Sequence, residues 1–547
     1  MPQDETSDEV ILPPKYYHQY FGDLIAFVKK YSHHLLDADD AFFLDQYHSL
    51  SEDGQCLFIR FSNRKGHYFR LDKLNYEEII LDDAIPELLH TGFIAEDFDW
   101  DAELLAYFTK QELVNAYSDL NIPKTAKKEE VYQIIIDHGH FGLLEEKYPL
   151  VQVQFQEAFE YLKLLYFGNY HTQMTEFVIR DIGNVQLEDL SGHTFTAWFE
   201  TVDEAKAVFE ISKLSHSVNQ ALVIWPASLL HESLQEVDFT KFSRYRAAER
   251  RTDKVLLKVA RQLEREKEPE LALYYYEQAV IPPARERRIR LYYGLKRLEE
   301  ATTLAEEIVA DYHNATELLF AKDFLNRPKI KILRSTTQKI KSPGKMIEVE
   351  SSTTNKVESL ALKKLAEEGL EGIHGENYLW RTLFGLTFWN QLLESGYDSF
   401  HHPLQRVSAD IYSRDFYEKR STQIEERLKK LRNKKQWKKE IDATILSKQG
   451  INSPLVYWHP EVSDHMAQLV TRLPLPGLKL ILIEMAKNFK SNSVGFPDLF
   501  VWNESQYHFY EVKSPNDHLS AQQLFWLEFF QACKIKSTVL KVNYTDY

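Results

Sequence analysis

The sequence predicts a multidomain, mainly α-helical protein that ends in an α/β domain. Its 547 residues exceed what one hydrophobic core usually supports, so several domains are expected. Residues from about 148 to 326 are expected to be mostly helical, and small and aromatic residues recur at helical spacing in residues 268–279 and 285–310. The C-terminal residues instead hold two short runs of aromatic and β-branched types. Helices are therefore expected in most of the chain, and a sheet is expected at its C-terminal end.

The two C-terminal runs predict a β-hairpin. The expected strands are residues 499–502 and 507–510, joined by the polar residues 503–506. Antiparallel pairing brings Asp498, just before the first strand, to the same end as Glu511-Val512-Lys513. Because side chains alternate along a strand, Glu511 and Lys513 are expected on one face and Val512 on the other.

This placement predicts a metal-assisted phosphodiesterase site. Two carboxylates that face one cavity repel each other unless a cation lies between them, and oxygen ligands suit Mg²⁺ or Mn²⁺. Such ions lower the pKa of bound water and offset charge on a phosphate, while Lys513 would orient the attacking water or stabilise the transition state. The alternative is a surface hairpin on which Glu511 and Lys513 are solvated charges.

The residues around the hairpin resemble the VRR-NUC nuclease signature, in particular that of the Fanconi-associated nuclease family. The resemblance rests on Gly495-Phe496-Pro497-Asp498, then Glu511-Val512-Lys513-Ser514-Pro515-Asn516-Asp517-His518-Leu519-Ser520, then Gln523 and Trp526. It implies a PD-(D/E)XK core, which is a mixed sheet flanked by helices. It also implies metal ligation by Asp498, Glu511 and the Val512 carbonyl, action of Lys513 at the nucleophile, and a catalytic-site role for Gln523.

The family has a further acidic position in a Gly-Ile-His-Gly-Glu sequence that opens a helix. This chain has that sequence at residues 372–376, so the resemblance implies that Glu376 is another metal ligand. A carboxylate near a helix start is also electrostatically favourable without any metal. His374 is as well explained by packing, or by support of a ligand, as by ligation. Two Mg²⁺ or Mn²⁺ ions are the expected cofactors.

Charge is distributed unevenly along the chain. The net charge of −16 argues at first sight against a nucleic-acid partner. Lysine and arginine are nevertheless concentrated in residues 241–265, 329–345 and 414–439. A solvated helix face is the better explanation of any one such segment, but three of them beside a nuclease motif predict a phosphate-binding surface. A free 5′ phosphate is expected to be read by Arg244, Arg246, Arg250 and Arg251.

Residues 101–145 form a second recognisable module. Thr109 is placed to cap one helix, residues 120–123 predict an extended turn, and a second helix is expected to open near Lys127. This pattern resembles a SAP-type DNA-binding fold, in which Lys124, Lys127 and Lys128 would contact phosphates. The alternative is a pair of ordinary amphipathic helices.

The expected domain organisation has five parts. An N-terminal domain covers residues 1–100, with a predicted strand at residues 56–61. It is followed by the SAP-like module at 101–145, a helical domain resembling tetratricopeptide repeats at 146–326, and a polar connector at 327–355. The nuclease domain is expected at 356–547, with a helical insertion at 394–490 that separates Glu376 from the other acidic residues.

Cysteine content and hydropathy indicate the cellular compartment in which the protein is expected. With only Cys56 and Cys533, no disulfide framework is indicated, and a reducing cytosol is expected. The chain has too few cysteines for the N-terminal zinc finger of animal relatives, so ubiquitin binding is not expected and a bacterial-type member is indicated. No apolar run is long enough to span a bilayer. The bacterial cytoplasm, with use at the nucleoid, is the expected location.

The resemblance implies a metal-dependent, structure-selective DNA nuclease that cleaves branched double-stranded DNA near 5′ flaps. Endonuclease and 5′–3′ exonuclease activities are both expected, in the repair of interstrand crosslinks or replication intermediates. Two alternatives are a Holliday-junction resolvase and a non-catalytic scaffold that binds branched DNA. Because Glu376, Asp498, Glu511 and Lys513 are all present, a decayed catalytic site is disfavoured.

Overall fold

The computed structural model describes residues 12–123, 125–183, 185–326, 334–350, 356–393 and 399–545. Lys124, one of the predicted DNA-binding residues, lies outside these ranges. The chain divides into two compact units, residues 1–184 with 197–209 and residues 185–196 with 210–547. The predicted fold class, mainly helical with a C-terminal mixed sheet, is confirmed.

The first unit is helical and carries one small antiparallel sheet in the order β1-β3-β2. Its strands are β1 Tyr68–Arg70, β2 Ile94–Ala95 and β3 Leu150–Val153. Its helices are α1 Tyr16–Tyr31, α2 Ala38–Ser49, α3 Glu52–Ser62, α4 Leu81–His90, α5 Lys110–Ala116, α6 Lys128–His138, α7 Gly142–Glu145, α8 Gln156–Phe167, α9 Thr175–Asp181 and the first part of α10 Val202–Ile224.

Residues 56–61, predicted as a strand, lie inside α3, so the strand prediction is wrong. The Ser51 hydroxyl accepts a hydrogen bond from the Gly54 N–H, and Glu52 and Asp53 occupy the first turn, which is the electrostatically favoured place for carboxylates. Five of the six residues at 56–61 are buried, on more than one face of the helix. A helix buried on most sides shows no 3.6-residue apolar stripe, and its β-branched and aromatic residues then resemble a strand.

The two helices predicted in the SAP-like module are present. Thr109 and Glu112 form a capping box at the start of α5, and the Lys127 N–H, just before α6, donates to the Glu130 carboxylate. Leu113 of α5 packs in one buried cluster with Val131 and Ile135 of α6. The resemblance of this helix pair to a SAP fold remains a prediction.

The second unit begins with consecutive helices that precede the sheet. They are the rest of α10, α11 Ala227–Leu234, α12 Phe239–Ser243, α13 Arg246–Arg265, α14 Pro269–Gln278, α15 Ala284–Gly294, α16 Leu298–Ala310, α17 Ala315–Asn326 and α18 Ser335–Lys341. Tyr275 in the predicted aromatic stripe is fully buried, so this ring belongs to the core and is not a surface for base stacking.

The C-terminal sheet has five strands in the order β4-β8-β7-β6-β5. The strands are β4 Lys345–Glu350, β5 Glu371–His374, β6 Leu499–Trp502, β7 Tyr507–Lys513 and β8 Ser537–Thr545. β8 runs parallel to β4 and β7, whereas β6 is antiparallel to β7 and β5. The predicted hairpin is β6 and β7. Part of the segment predicted as a connector is β4, an edge strand of this sheet.

Side chains of the hairpin alternate between two cores, one on each face of the sheet. Leu499, Val501 and Val512 enter one core with α19 Val357–Glu367. Phe500 and Phe509 enter the other, which includes α20 Glu376–Leu392 and α26 Ala521–Ala532. Because Glu511 is two residues from Phe509 in β7, it faces the α20 and α26 side.

The predicted helical insertion contains α21 Phe416–Lys430, α22 Lys434–Lys448, α23 Val462–Arg472, α24 Leu475–Lys487 and the short α25 Phe489–Asn492. Among the described residues, no single helix is long and apolar enough to cross a membrane. In the same residues, only the pair α23 and α24 has the combined length and apolar composition for one crossing, and this pair is bent by 116° between its two helices.

A buried arginine anchors the insertion to α20. Arg420 of α21 is 1% exposed and pairs with Asp410, with Nε 2.6 Å and Nη2 3.1 Å from the carboxylate oxygens. It also donates to the carbonyl of Gln391, in the last turn of α20, at 2.6 Å and to the Ser399 hydroxyl at 2.9 Å. These bonds hold α21 against the helix that begins at Glu376.

We predict that Asp410→Ala lowers the free energy of unfolding by about 3–5 kcal/mol, because it leaves the Arg420 charge buried without its carboxylate. Thermal or urea unfolding measures the loss. The double variant Asp410→Leu/Arg420→Met removes both charges and should recover most of it. Equal stability of Asp410→Ala and the native chain would show that the pair does not anchor α21.

Candidate active site

Asp498 is held at the point where three elements meet. Its Oδ2 accepts a hydrogen bond from the Val512 N–H of β7 at 2.8 Å. Its backbone carbonyl accepts from the N–H groups of Gly375 and Glu376, at 2.9 and 3.1 Å, where β5 ends and α20 begins. The side chain thus fixes the hairpin end, and the backbone fixes the start of α20.

Glu511 is fully buried, and neither of its carboxylate oxygens has a hydrogen-bond partner among the described residues. Lys513 Nζ lies 2.9 Å from Glu511 Oε1, close enough for an ion pair but not directed as a hydrogen bond. The same ammonium donates to Gln523 Oε1 at 3.3 Å. A buried carboxylate with unused lone pairs is a ready ligand for a cation.

Glu376 begins α20 with its side chain exposed. Its φ of 37° lies in the left-handed region, which is unfavourable for a residue with a Cβ and is kept here by the two bonds to the Asp498 carbonyl. Asn377 Nδ2 donates to Glu376 Oε1 at 3.0 Å. The carboxylate is therefore directed by its neighbours at a helix start, beside Asp498.

The three carboxylates form one electrostatic cluster. Burial raises the pKa of Glu511 to about 8, with the charge of Asp498 as the next cause and Lys513 opposing the shift. Burial also raises the pKa of Asp498, which the Val512 N–H and Lys513 partly offset while the charge of Glu376 adds to the rise. A divalent cation bound between these groups would remove the repulsion. Their oxygens and the Val512 carbonyl form a donor set of the kind that hard cations take.

The residues after β7 that carry the family resemblance build the turn into α26. The Ser514 N–H and hydroxyl both donate to Asp517 Oδ2, at 2.8 and 2.7 Å. Ser520 and Gln523 form a capping box at the start of α26, which holds the Gln523 amide against Lys513. Upstream of β6, the Phe496 ring stacks on Trp526 of α26 with ring centres 4.1 Å apart.

The four arginines predicted to bind a 5′ phosphate divide into two pairs. Arg246 is neutralised by Asp415 at 2.7 Å, and Arg244 lies over the Tyr245 ring at 4.7 Å. Arg250 and Arg251 belong to a cationic cluster with Arg414, which the sequence analysis did not single out. Burial, followed by the charge of Arg414, lowers the pKa of Arg250, and burial, followed by the charge of Arg250, lowers that of Arg251.

His313 and Asn488 extend the contacts of this cluster. Arg414 Nη2 lies 3.4 Å from His313 Nδ1, and the His313 carbonyl accepts from Asn488 Nδ2 at 3.1 Å. The cluster thus joins α13 to the loop before α17 and to the insertion. No signal in the sequence links positions 250 and 414, because their proximity depends entirely on tertiary packing.

Of the three lysines in the SAP-like module that are predicted to contact DNA, two lie in the described ranges. Lys127 precedes α6 and is exposed, and Lys128 lies with its Nζ 5.3 Å from the centre of the Tyr132 ring. Both belong to the first unit. Their role in binding DNA remains a prediction, as does that of Lys124, which lies outside the described residues.

His459, Glu461 and His465 form a separate group whose ligand atoms lie within 4.8 Å of one another. Hydrogen bonds explain the placement of this group without a metal. His459 Nδ1 accepts the Glu461 N–H at 3.1 Å, next to the start of α23, and His465 Nδ1 lies 3.1 Å from the Tyr378 hydroxyl.

Comparison with known proteins gives two domain matches. The VRR-NUC domain matches residues 433–544, which include Asp498, Glu511 and Lys513 but not Glu376. A domain described as "FAN1, HTH domain" matches residues 15–95, a region for which the sequence analysis assigned no function.

Similar proteins extend over nearly the whole chain. The Fanconi-associated nuclease 1 homolog of Pseudomonas aeruginosa is 26% identical over 98% of this chain and 96% of its own length. The Arabidopsis thaliana homolog is 24% identical over 97% of this chain and 67% of its own length. A crystal structure of paFAN1 bound to 2-nucleotide 5′ flap DNA with a gap superposes with a TM-score of 0.85 at 26% identity, covering 98% of this chain and 100% of that one.

We predict that Glu511→Gln stabilises the metal-free protein and abolishes its response to divalent cations. Burial raises the pKa of Glu511 to about 8, so folding at neutral pH requires this carboxyl to take up a proton. A glutamine, neutral in both states, should raise the free energy of unfolding by on the order of 1–3 kcal/mol. Thermal unfolding with and without Mn²⁺ measures both effects, since a ligand of the folded state raises Tm. The exposed Glu504→Gln is the control and should respond to Mn²⁺ like the native chain. A Mn²⁺-dependent rise in Tm in Glu511→Gln would exclude Glu511 as a ligand.

Proposed function

This chain belongs to the Fanconi-associated nuclease family, and from that premise we propose that it is a metal-dependent nuclease that cleaves branched DNA near 5′ flaps. The observation that carries the proposal is the convergence of Glu376, Asp498, Glu511 and Lys513 at one end of the β6–β7 hairpin. A paFAN1 structure that this fold matches contains 5′ flap DNA. Both endonuclease and 5′–3′ exonuclease activities, used in interstrand crosslink repair at the nucleoid, are part of the proposal.

The residues have distinct proposed tasks. Divalent cations held here would lower the pKa of water and offset charge on the scissile phosphate. Lys513, with a side chain only 11% exposed, lies between Glu511 and Gln523, so its ammonium group is held in place to orient the nucleophile or stabilise the phosphate charge in the transition state. Gln523 positions Lys513, and Asn377 positions the Glu376 carboxylate.

We propose two Mg²⁺ or Mn²⁺ ions as the cofactors. Glu376, Asp498 and Glu511 supply three carboxylates, and the Val512 carbonyl supplies a neutral oxygen. This donor set suits hard cations and leaves positions for phosphate oxygens of DNA. Asp498 would help to hold both ions, because its backbone carbonyl binds the Glu376 N–H and its carboxylate binds the Val512 N–H.

Selectivity for a 5′ flap must arise outside the core, since related cores serve different substrates. We propose that Arg250, Arg251 and Arg414 read the terminal 5′ phosphate. Burial first, and then the neighbouring charges of Arg414 and Arg250, lower the pKa values of Arg250 and Arg251 respectively, and a phosphate dianion beside these groups would offset both effects. Lys124, Lys127 and Lys128 are proposed to contact the duplex through its backbone.

We predict that Asp498→Ala abolishes cleavage while DNA affinity changes less than threefold. The substitution removes a metal ligand, whereas affinity rests mainly on basic residues and counterion release. A nuclease assay and a gel-shift assay on the same flap substrate separate the two quantities. Lys513→Ala should behave in the same way and retain Mn²⁺ binding. Parallel loss of binding and cleavage would contradict this division of tasks.

Calcium gives a further test of the site geometry. Ca²⁺ should compete with Mn²⁺ for the site but support little cleavage, because its longer and looser coordination positions the nucleophile poorly. Isothermal titration measures occupancy, and the cleavage assay measures turnover in each ion. Robust cleavage with Ca²⁺ alone would be inconsistent with the proposed arrangement.

We predict that Arg250→Ala/Arg251→Ala lowers kcat/KM at least tenfold on a one-nucleotide flap with a 5′ phosphate. The same flap with a 5′ hydroxyl should lose much less, because the doubly charged terminal phosphate is the group that the cluster binds. Arg244→Ala is the matched control, since Arg244 is exposed and lies over the Tyr245 ring. Equal losses on both flaps would make Arg250 and Arg251 general phosphate contacts.

A further inference from the structure

One face of α13 is entirely cationic. The exposed residues of this helix are Arg246, Lys254, Lys258, Arg261 and Arg265, and its remaining positions are buried or partly buried. A solvated helix in a chain of net charge −16 would ordinarily mix both signs on its surface. A continuous positive face of this length is the electrostatic footprint of a polyanion.

The cationic face borders a groove of about 800 Å³ formed with α10 and α15. Lys254, Lys258, Arg261 and Arg265 line it from α13, and Arg287 lines it from α15. From α10 the lining includes the apolar Leu222 and Val223 beside the polar Asn219, and we call Leu222 and Val223 the apolar wall. The groove therefore offers positive groups to a backbone and apolar groups to the bases that the backbone carries.

Few acidic groups neutralise the groove. Glu264 pairs with Arg287 and lies 3.9 Å from Arg261, and Glu286 pairs with Arg290 at 2.7 Å. Among the described residues, Lys254, Lys258 and Arg265 have no ion pair with a carboxylate, although Lys258 donates to Asn219. The groove keeps a net positive charge after these pairs are counted.

The spacing of the cations fits an extended strand better than a duplex. Lys254, Lys258, Arg261 and Arg265 follow one another at three- or four-residue intervals, which is about 5–6 Å along the helix axis. This row is straight, whereas each phosphate backbone of a duplex winds away from a straight row after a short contact. A single strand can follow the whole row.

An exposed aromatic residue stands near the apolar wall. Trp225 is 57% exposed and directly follows α10, two residues after Val223. Proteins that bind single strands combine a positive groove with aromatic surfaces on which bases stack. Both features are present here in one unit of the protein.

We propose that the groove between α10 and α13 holds the single-stranded 5′ flap of substrates whose flap is longer than one or two nucleotides. Lys254 is one helical turn from Arg250 and Arg251, so a strand that passes the phosphate-reading cluster continues directly into the groove. Short flaps end at the cluster, and longer flaps extend along α13. This inference rests on the proposed flap-nuclease function and adds a path for the flap.

The test compares two flap lengths in one pair of variants. Lys258→Glu/Arg261→Glu reverses two exposed charges in the groove, and Lys322→Glu/Lys487→Glu makes the same charge change on exposed positions of α17 and α24. Affinity and kcat/KM are measured on a one-nucleotide 5′-phosphorylated flap and on a fifteen-nucleotide flap. Binding of a labelled fifteen-nucleotide oligothymidylate is measured by fluorescence anisotropy.

The groove variant should lose at least tenfold in affinity and kcat/KM on the long flap and in oligothymidylate binding, and less than twofold on the short flap. Trp225→Ala should lose severalfold on the long flap only. The control variant should match the native chain, and Arg250→Ala/Arg251→Ala should show the opposite preference by affecting the short flap more.

Equal losses on both flaps would mean that the groove contacts a duplex arm, and unchanged values on both would mean that it binds no part of the substrate. Either result overturns the proposal. If the native chain cleaves neither flap, the proposed function fails instead, and the oligothymidylate titration still decides whether the groove binds a single strand.

Discussion

Asp498 is the residue on which the arrangement of the active site depends. Its carboxylate accepts the Val512 N–H, and its carbonyl accepts two N–H groups where α20 begins. One residue thus links the hairpin, which carries Glu511 and Lys513, to the helix that presents Glu376. Sequence positions more than a hundred residues apart are held within one cluster by three hydrogen bonds. The geometry depends on the backbone as much as on the side chains, so the site is preorganised before any ligand binds.

The cluster is costly to the folded protein in the absence of a cation. Within the described part of the chain, neither oxygen of the buried Glu511 carboxylate has a hydrogen-bond partner, and Glu376 has a left-handed backbone conformation. Strained or unsatisfied groups of this kind persist where function requires them. The surrounding core supplies the compensation, because Trp380, Phe496, Trp526 and Phe530 pack into one aromatic cluster beneath the site. A divalent cation bound here would offset the repulsion between the carboxylates and use their free lone pairs.

Local sequence signals predicted those elements whose structure depends on residues close together in the sequence. Turn residues and alternating side chains predicted the hairpin, and Thr109 and its partner Glu112 form the cap that the sequence suggested. Prediction failed where burial overrode pattern. Residues 56–61 form a helix whose burial on several sides hides its 3.6-residue stripe, and β4 resembles a polar connector because only Ile347 and Val349 of its six residues are buried.

Contacts between distant residues were not accessible from the sequence. Arg246 is paired with Asp415, and Arg250 lies near Arg414, although more than 150 positions separate the members of each pair. A row of arginines in one helix could not indicate which of them lies beside Asp415 and which lies near Arg414. Similarly, the predicted metal-ligand role of Glu376 rests on the resemblance of its surrounding sequence to a family motif. The neighbouring residues alone do not distinguish it from a carboxylate that stabilises a helix start.

The most direct measurement of the central claim is an anomalous-scattering crystal structure of the full chain soaked with Mn²⁺. The account predicts manganese peaks in contact with Glu376, Asp498, Glu511 and the Val512 carbonyl, with Lys513 Nζ remaining beside Glu511 and Gln523. A map with no peak at Asp498, or with manganese only at His459, Glu461 and His465, would contradict the proposed metal centre.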